Sequence, residues 1–323
     1  KKYILSSKLT PLTNKISKTN NYIFNDTNNY TSKQNKNLID GYYVYIDIPH
    51  KILKSNIKYV EIKPLYENHK YKICIIYENI QNDIQPNPEI SIDKTISIDL
   101  GMKSLMTIYD PTGKQTIIDG NYLNWINNSY NHKIDNLKQN AKSLNNMHTT
   151  KQIRKLLIDR ENKINNHFDH IIKWLTLNYS HKKLIIVGYN QRWKTKVNLG
   201  NTTNRKFYQI PYCKLLNKLT NKMLQIGIVV KFNEESYTSK CDAFAFEEIK
   251  FHGIYLGKRI QRGLFSSSTH KLINADLNGA INIMRKYFQK QNYKIQTVTG
   301  INLYNPVRAN ILREVMNQWS KAK

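Results

Sequence analysis

The segment Glu234–Met284 reads EESYTSKCDAFAFEEIKFHGIYLGKRIQRGLFSSSTHKLINADLNGAINIM. Two carboxylates, Glu234 and Glu235, open it directly after the β-branched run GIVVKFN. A third, Asp276, stands near its end, where Leu277, Ala280, Ile281 and Met284 recur on one helical face. Between them, Lys and Arg alternate with aromatics and glycines. Far upstream, SIDLG at Ser97–Gly101 places Asp99 at the end of another apolar run. A strand ending in a carboxylate, a second strand ending in one and a helix beginning with one belong to a sheet with helices packed on it.

The chain around this frame is strongly basic. Its 323 residues hold 50 Lys and Arg against 23 Asp and Glu, a formal net charge of +27. Such an excess favours a polyanionic partner, nucleic acid being the commonest. Cys74, Cys213 and Cys241 lie far apart with no CxxC pair, which argues against a disulfide framework or a thiolate zinc site and for a reducing, intracellular setting. No apolar run approaches the roughly 20 residues of a membrane helix, so no membrane partner is expected.

In chain order, residues 1–40 are rich in Asn, Thr, Lys and Ser and read as loop, most mobile over Tyr22–Asn37. Residues 41–93 hold three β-rich runs, GYYVYIDIP, IKYVEIKPL and YKICIIYE, expected to form a small antiparallel barrel or sheet that ends in a linker with two prolines. Glu67–Lys70 turns between the last two runs. Residues 94–290 form the main domain. Three strands occupy 94–119, with a turn at Asp110–Gly113. Helical periodicity covers 122–181, with a polar break at NNMHTT. KKLIIVGYN is a buried strand, and a basic loop with Lys194 and Lys196 follows it. Pro211 opens and Gly227 closes the next helix. Residues 291–323 are a tail with an amphipathic end around Ile311–Trp319. The fold class is mixed α/β, one sheet with flanking helices.

Asp99, Glu235 and Asp276 come from separate elements and are placed to converge on two Mg²⁺ ions, which prefer carboxylate and phosphate oxygens. Each has an ordinary structural reading too: a turn former, a surface charge and a helix N-cap. The insert 236–272 carries Lys240, Lys250, Lys258, Arg259, Arg262 and Lys271 interleaved with Phe244, Phe246, Phe251, Tyr255 and Phe265. Cations of this kind neutralise phosphates and aromatics stack on unpaired bases, although some of these rings must form a small core.

At this point the motifs SIDLGMKSLMTIYDP, LIIVGYNQRWK, ESYTSK, YLGKRIQRGLF and NADLNGAINI, in order over about 95–290, resemble the TnpB (OrfB-type) family of insertion-sequence proteins and its relatives called Fanzor. The resemblance implies an RNase H-like (RuvC) nuclease domain and a magnesium-dependent DNA endonuclease guided by an element-encoded RNA. It makes residues 41–80 the remnant of a wedge-like barrel. Asp99 matches the first catalytic aspartate and Asp276 the third catalytic residue. Many relatives carry the second, a glutamate, where this chain has Gly188; a rearranged subgroup carries it two residues before the Tyr of YTSK, here Glu235. Strand parity alone sends Glu234 inward, so both stay in view. Relatives also hold zinc through CxxC pairs in the insert. Only Cys241 remains here, so no zinc is expected. The compartment would be the prokaryotic cytoplasm, or the nucleus or virus-infected cell for a eukaryotic or viral element.

The expected site set is therefore Asp99, Glu235 and Asp276 for catalysis and metal, with Lys194, Lys196, Lys240, Lys258, Arg259, Arg262 and Lys271 on target DNA or guide RNA. The rivals are a non-cleaving nucleic-acid-binding descendant and a conventional DDE transposase. The second would need a Glu on the final core helix, where Asp276-Leu277-Asn278-Gly279 stands instead.

Overall fold

The structure, a computed structural model, describes residues 2–6, 43–47, 56–65, 70–78, 91–145, 149–190, 208–311 and 313–315. The chain divides into two compact units, Lys1–Ile84 and Gln85–Lys323.

In the first unit, β1 (Lys2–Ser6) pairs antiparallel with β2 (Tyr43–Asp47), and β3 (Asn56–Leu65) with β4 (Lys70–Glu78). The three expected strands are present. A strand at Lys2–Ser6 corrects the reading of 1–40 as loop throughout; the rest of that stretch, like most of the Glu67–Lys70 turn, lies outside the described residues. Among the described residues the strands form two separate ladders, and no pairing closes the expected barrel. The alternation along β4 does not separate an inside from an outside: Ile73 and Tyr77 are both exposed. A two-stranded ribbon has no second sheet or third strand to bury one face.

The second unit is built on a six-stranded mixed sheet. A short 3₁₀ turn at Ile92–Lys94 leads into β5 (Thr95–Leu100), followed by β6 (Ser104–Tyr109) and β7 (Thr116–Asp119) in an antiparallel meander. The long helices α1 (Asn121–Asn145) and α2 (Lys151–Tyr179) return the chain to β8 (Leu184–Gly188), which runs parallel to β5. Helix α3 (Tyr212–Gln225) then delivers β9 (Val229–Asn233) parallel to β8. The order β7-β6-β5-β8-β9 is the RNase H-like arrangement. From the C-terminal segment, β13 (Val307–Arg308) adds a sixth strand parallel to β7.

Before that strand, β10 (Lys258–Gln261), β11 (Leu264–Ser266) and β12 (Leu272–Asn274) make a three-stranded antiparallel sheet that runs straight into α4 (Ala275–Gln289). Helix starts follow local chemistry. Thr150 accepts from the Ile153 amide at α2, and Asn274 accepts from the Asp276 and Leu277 amides at α4. Pro211 precedes α3, and Gly227 (φ 77°) follows its end.

The period-2 rule divides the sheet into two faces. Ile96, Ile98 and Leu100 of β5, with Ile185 and Val187 of β8, pack into a core with α1, α2 and α3. On the other face, Leu184 and Ile186 meet Leu277, Ile281, Ile283, Met284 and Phe288 of α4. Burying each such side chain contributes about 1.5–3 kcal/mol. The odd-numbered residues of β5 therefore face α4: Thr95, Ser97, whose hydroxyl donates to the Ala280 carbonyl at 2.7 Å, and finally Asp99. No described helix is long and apolar enough to cross a membrane.

Candidate active site

Asp99 is the penultimate residue of β5 and points to the α4 face. It can do so because Gly279 lies opposite: a Cβ there would sit 2.9 Å from Asp99 Oδ2. The glycine lets the first turn of α4 approach the carboxylate directly. Asp276 belongs to that turn. The cap of α4 is Asn274, so the structure removes the N-cap reading of Asp276 and leaves its side chain for other contacts. Asp276 Oδ2 accepts from Ser104 Oγ at 2.8 Å, and Oδ1 is 3.5 Å from Arg259 Nη2 on β10.

β9 ends at Asn233, and the two glutamates that follow part company. Glu234 is ion-paired to Lys286 of α4 and accepts from the Ser236 amide at 2.8 Å and from the Ser236 hydroxyl. Burial alone would raise its carboxyl, but the Lys286 hydrogen bond, the Ser236 amide and the Lys286 and Lys290 charges outweigh it and hold the group below its usual value. Glu235 turns the other way. Its amide donates to Asn190 Oδ1 at 3.4 Å, and its Oε2 lies 3.1 Å from where a Cβ of Gly188 would be. The Glu235 carbonyl accepts from the Thr238 amide and hydroxyl, at 3.2 and 2.7 Å. YTSK is thus a tight turn, with Tyr237 at φ 67°, that fixes the strand end carrying the glutamate.

The electrostatics join the three. Burial, then the facing charges of Glu235 and Asp276, push the Asp99 carboxyl well above the usual range, while the Leu100 backbone and Arg259 work against them. Asp99 retains some exposed surface. Burial and the neighbouring Glu234 charge push Glu235 up to about 7, opposed by Lys286. Tyr212 closes one side: its hydroxyl donates to the Gly101 carbonyl at 2.8 Å, and burial next to Asp99 and Glu235 pushes it up. A buried carboxyl raised further by two nearby carboxylate charges, as Asp99 is, is the condition that a divalent cation relieves, and these oxygen donors fit a hard ion. In this conformation, no three described His, Cys, Asp or Glu side chains close on a single point as a ready ligand set.

Residues 73–193 match the family OrfB_IS605, described as a probable transposase. The match covers less than half of the chain, from within β4 to just past β8, and includes Asp99. It agrees with the resemblance read from the motifs. Among curated proteins, none is significantly similar. Among solved structures, the chain is similar to the cryo-EM structure of a Cas12f1-sgRNA-target DNA complex, at 20% identity and a TM-score of 0.42 over 69% of this chain and 55% of that one. It is also similar to the cryo-EM structure of a CRISPR-Cas12f ternary complex, at 16% identity and a TM-score of 0.42 over 71% and 46%. The chain spans about half the length of these proteins.

The expected nucleic-acid contacts are distributed unevenly. Lys258, Arg259 and Arg262 stand exposed on and just after β10, and Arg259 lies beside Asp276. Lys240 lies over the Tyr255 ring at 5.7 Å and Lys271 over Phe244 at 5.1 Å, so those two rings face cations. Phe265 is core, while Phe251 is exposed. Lys194 and Lys196 lie outside the described residues.

Three groups of residues escaped the sequence reading. Ser104 holds Asp276. Asn278 and Asn282, one turn apart on α4, donate to the Cys241 carbonyl at 2.9 and 2.7 Å, and the Ala243 amide donates back to Asn278 at 3.1 Å. Their signal was Asn at i and i+4 inside an apolar helix. Asp242 and Glu247 are buried in the insert. Asp242 accepts from the amides of Phe244, Ala245 and Ser268 and the hydroxyls of Ser267 and Ser268; Glu247 accepts from the amides of Asp242 and Leu256.

Proposed function

We propose that the chain is a divalent-metal-dependent nuclease that hydrolyses DNA phosphodiesters, with Asp99, Glu235 and Asp276 as its catalytic and metal-holding carboxylates and an RNA guide selecting the target. The observation that supports this reading is that Asp99 on β5, Glu235 just past β9 and Asp276 in the first turn of α4 lie near enough for the charges of the other two to add to burial in raising Asp99. Asp99 feels both partners, and Asp99, Glu235 and Asp276 would be the residues that hold the divalent ions. Bound Mg²⁺ would supply activation of a water and stabilisation of the leaving oxygen.

The chain's own residues do the rest. Ser104 fixes the Asp276 carboxylate. Gly279 admits Asp99 against α4. Arg259 offers a half-exposed guanidinium beside Asp276, of the kind that pairs with a phosphate oxygen. The exposed cations on β10 and the net charge of +27 draw the polyanion in. Guide use rests on the family match and the motifs: in RNA-guided nucleases, base pairing reads sequence while the protein reads backbone shape and a short flanking motif.

The test is cleavage of DNA carrying a guide-matched site, with and without Mg²⁺, by the parent, Asp99→Ala and Asp276→Ala chains. Magnesium-dependent products from the parent alone, with nucleic-acid binding retained in both variants, are expected. Cleavage undiminished in either variant removes that residue from the site. Loss of folding in both makes them structural. Affinity for nucleic acid should fall steeply as salt rises.

A further inference from the structure

The long helices carry an aromatic and basic cluster outside the carboxylate site. Trp125, in the second turn of α1, is 56% exposed. Its ring stacks on Tyr122 at 5.8 Å with the planes 21° apart, and Tyr122 rests in turn against the buried His167 ring at 4.8 Å. From α2, Lys163 holds its Nζ 6.0 Å from the Trp125 ring and 5.3 Å from that of Tyr130; Lys133 approaches Tyr130 at 5.9 Å. Exposing an indole costs hydrophobic free energy, and here the ring is held by a second aromatic and has one exposed cation, Lys163, over it. An immobilised aromatic face with an ammonium group beside it has the chemistry that binds an unpaired base and its phosphate. Paired bases in a duplex do not offer their faces, so the occupant is single-stranded.

The cluster shares one end of the sheet with the carboxylates. Asp119, just before α1, is the register partner of Ser104. The Gly120 amide donates to the Lys103 carbonyl at 2.7 Å, and Asn124, beside Trp125, donates to the Met102 carbonyl at 3.5 Å. Ser104 then holds Asp276. These bonds tie the start of α1, which carries Trp125, to the Met102–Ser104 segment, where Lys103 is exposed and Ser104 reaches Asp276.

We propose that Trp125 is a stacking platform for an unpaired base of a DNA strand entering or leaving the carboxylate site, with Lys163 and Lys103 neutralising the adjacent phosphates. This rests on the nuclease reading above and adds to it a defined path for the strand.

The full chain is tested against a single-stranded DNA of roughly 12 nucleotides, the matching duplex and an RNA of the same sequence. Trp125→Ala should weaken single-stranded DNA about 5–100-fold and leave duplex affinity within about twofold, while Trp125→Phe keeps most of the affinity. Lys163→Gln should lower the slope of log Kd against log salt by about one. An unchanged thermal midpoint in each variant shows that the fold is intact. Parental affinity for single-stranded DNA in Trp125→Ala, an equal loss on duplex, or a loss confined to RNA overturns the platform while the nuclease reading stands on its own cleavage test. A parent that binds no DNA overturns both.

Discussion

Gly188 and Glu235 share one space. A Cβ at Gly188 would lie 3.1 Å from Glu235 Oε2 and 2.3 Å from Ile283 Cδ1. β8 therefore ends in a residue without a side chain where the chain crossing from β9 brings its own carboxylate across. Gly188→Ala should destabilise the protein by about 1–3 kcal/mol through overpacking and reduce cleavage. Ile283→Val removes Cδ1, so the double variant separates the two contacts. Recovered stability with cleavage still depressed is the expected result of denaturation and activity measurements; recovery of both would assign the whole effect to Ile283.

The insert should be held by carboxylates and not by metal. Asp242 is fully buried and accepts from three amides and two hydroxyls. Asn in its place turns one acceptor into a donor and leaves Ser267 and Ser268 facing it. Asp242→Asn should cost about 2–4 kcal/mol in urea unfolding. Cys241 donates to the Glu248 and Lys250 carbonyls at 3.4 and 3.7 Å, and burial pushes its thiol up, away from the thiolate that zinc requires. A chelator should leave the thermal midpoint unchanged. A stoichiometric zinc found by elemental analysis, or a midpoint lowered by chelator, would contradict this.

His167 should make stability depend on pH. It is buried on α2, and neither ring nitrogen has a hydrogen-bond partner among the described residues. Burial, aided by His170, pushes it down from 6.5 to about 4. Between those values the unfolded chain takes up a proton that the folded chain refuses, so this contribution is complete above about pH 6.5 and fades as pH falls towards 4. From pH 7.5 to 5 it amounts to about 2 kcal/mol. His167→Leu should lose about that much less than the parent over the same interval in urea titrations. Parallel losses would mean that the imidazole protonates freely in the fold.

What the sequence made legible follows from where the information sits. Asp99 and Asp276 lie in runs whose period is plain, a β-branched strand and an apolar helix, so their places at the element ends could be read directly. The helices α1 and α2 were visible for the same reason. The insert was opaque because buried acids hold it, and no local pattern marks Asp242 and Glu247 as buried. Lys2–Ser6 and Val307–Arg308 are strands only through partners distant in sequence, Tyr43–Asp47 and Thr116–Ile117, which no local pattern reveals. The choice between Glu234 and Glu235 fell where the strand period stops.

That choice yields the sharpest prediction. Strand parity would have sent Glu234 inward, but β9 ends at Asn233, and beyond it the YTSK turn sets direction. Glu234 is engaged by Lys286 and Ser236 and is about half exposed, with 48% of its side chain open. Glu235 is partly buried, faces Asp99 and contributes to raising it. Glu234→Gln keeps acceptors for Ser236 and Lys286 and removes only the charge of an ion pair that is half open at Glu234 and mostly buried at Lys286, so its cleavage should stay within several-fold of the parent. Glu235→Gln removes a charge from the proposed metal-holding set, and its cleavage should fall by about a hundredfold or more, with DNA binding retained. Raising Mg²⁺ should recover part of the loss in Glu235→Gln and change Glu234→Gln little. The reverse ranking would move the role to Glu234, and full activity in both variants would place the third carboxylate elsewhere.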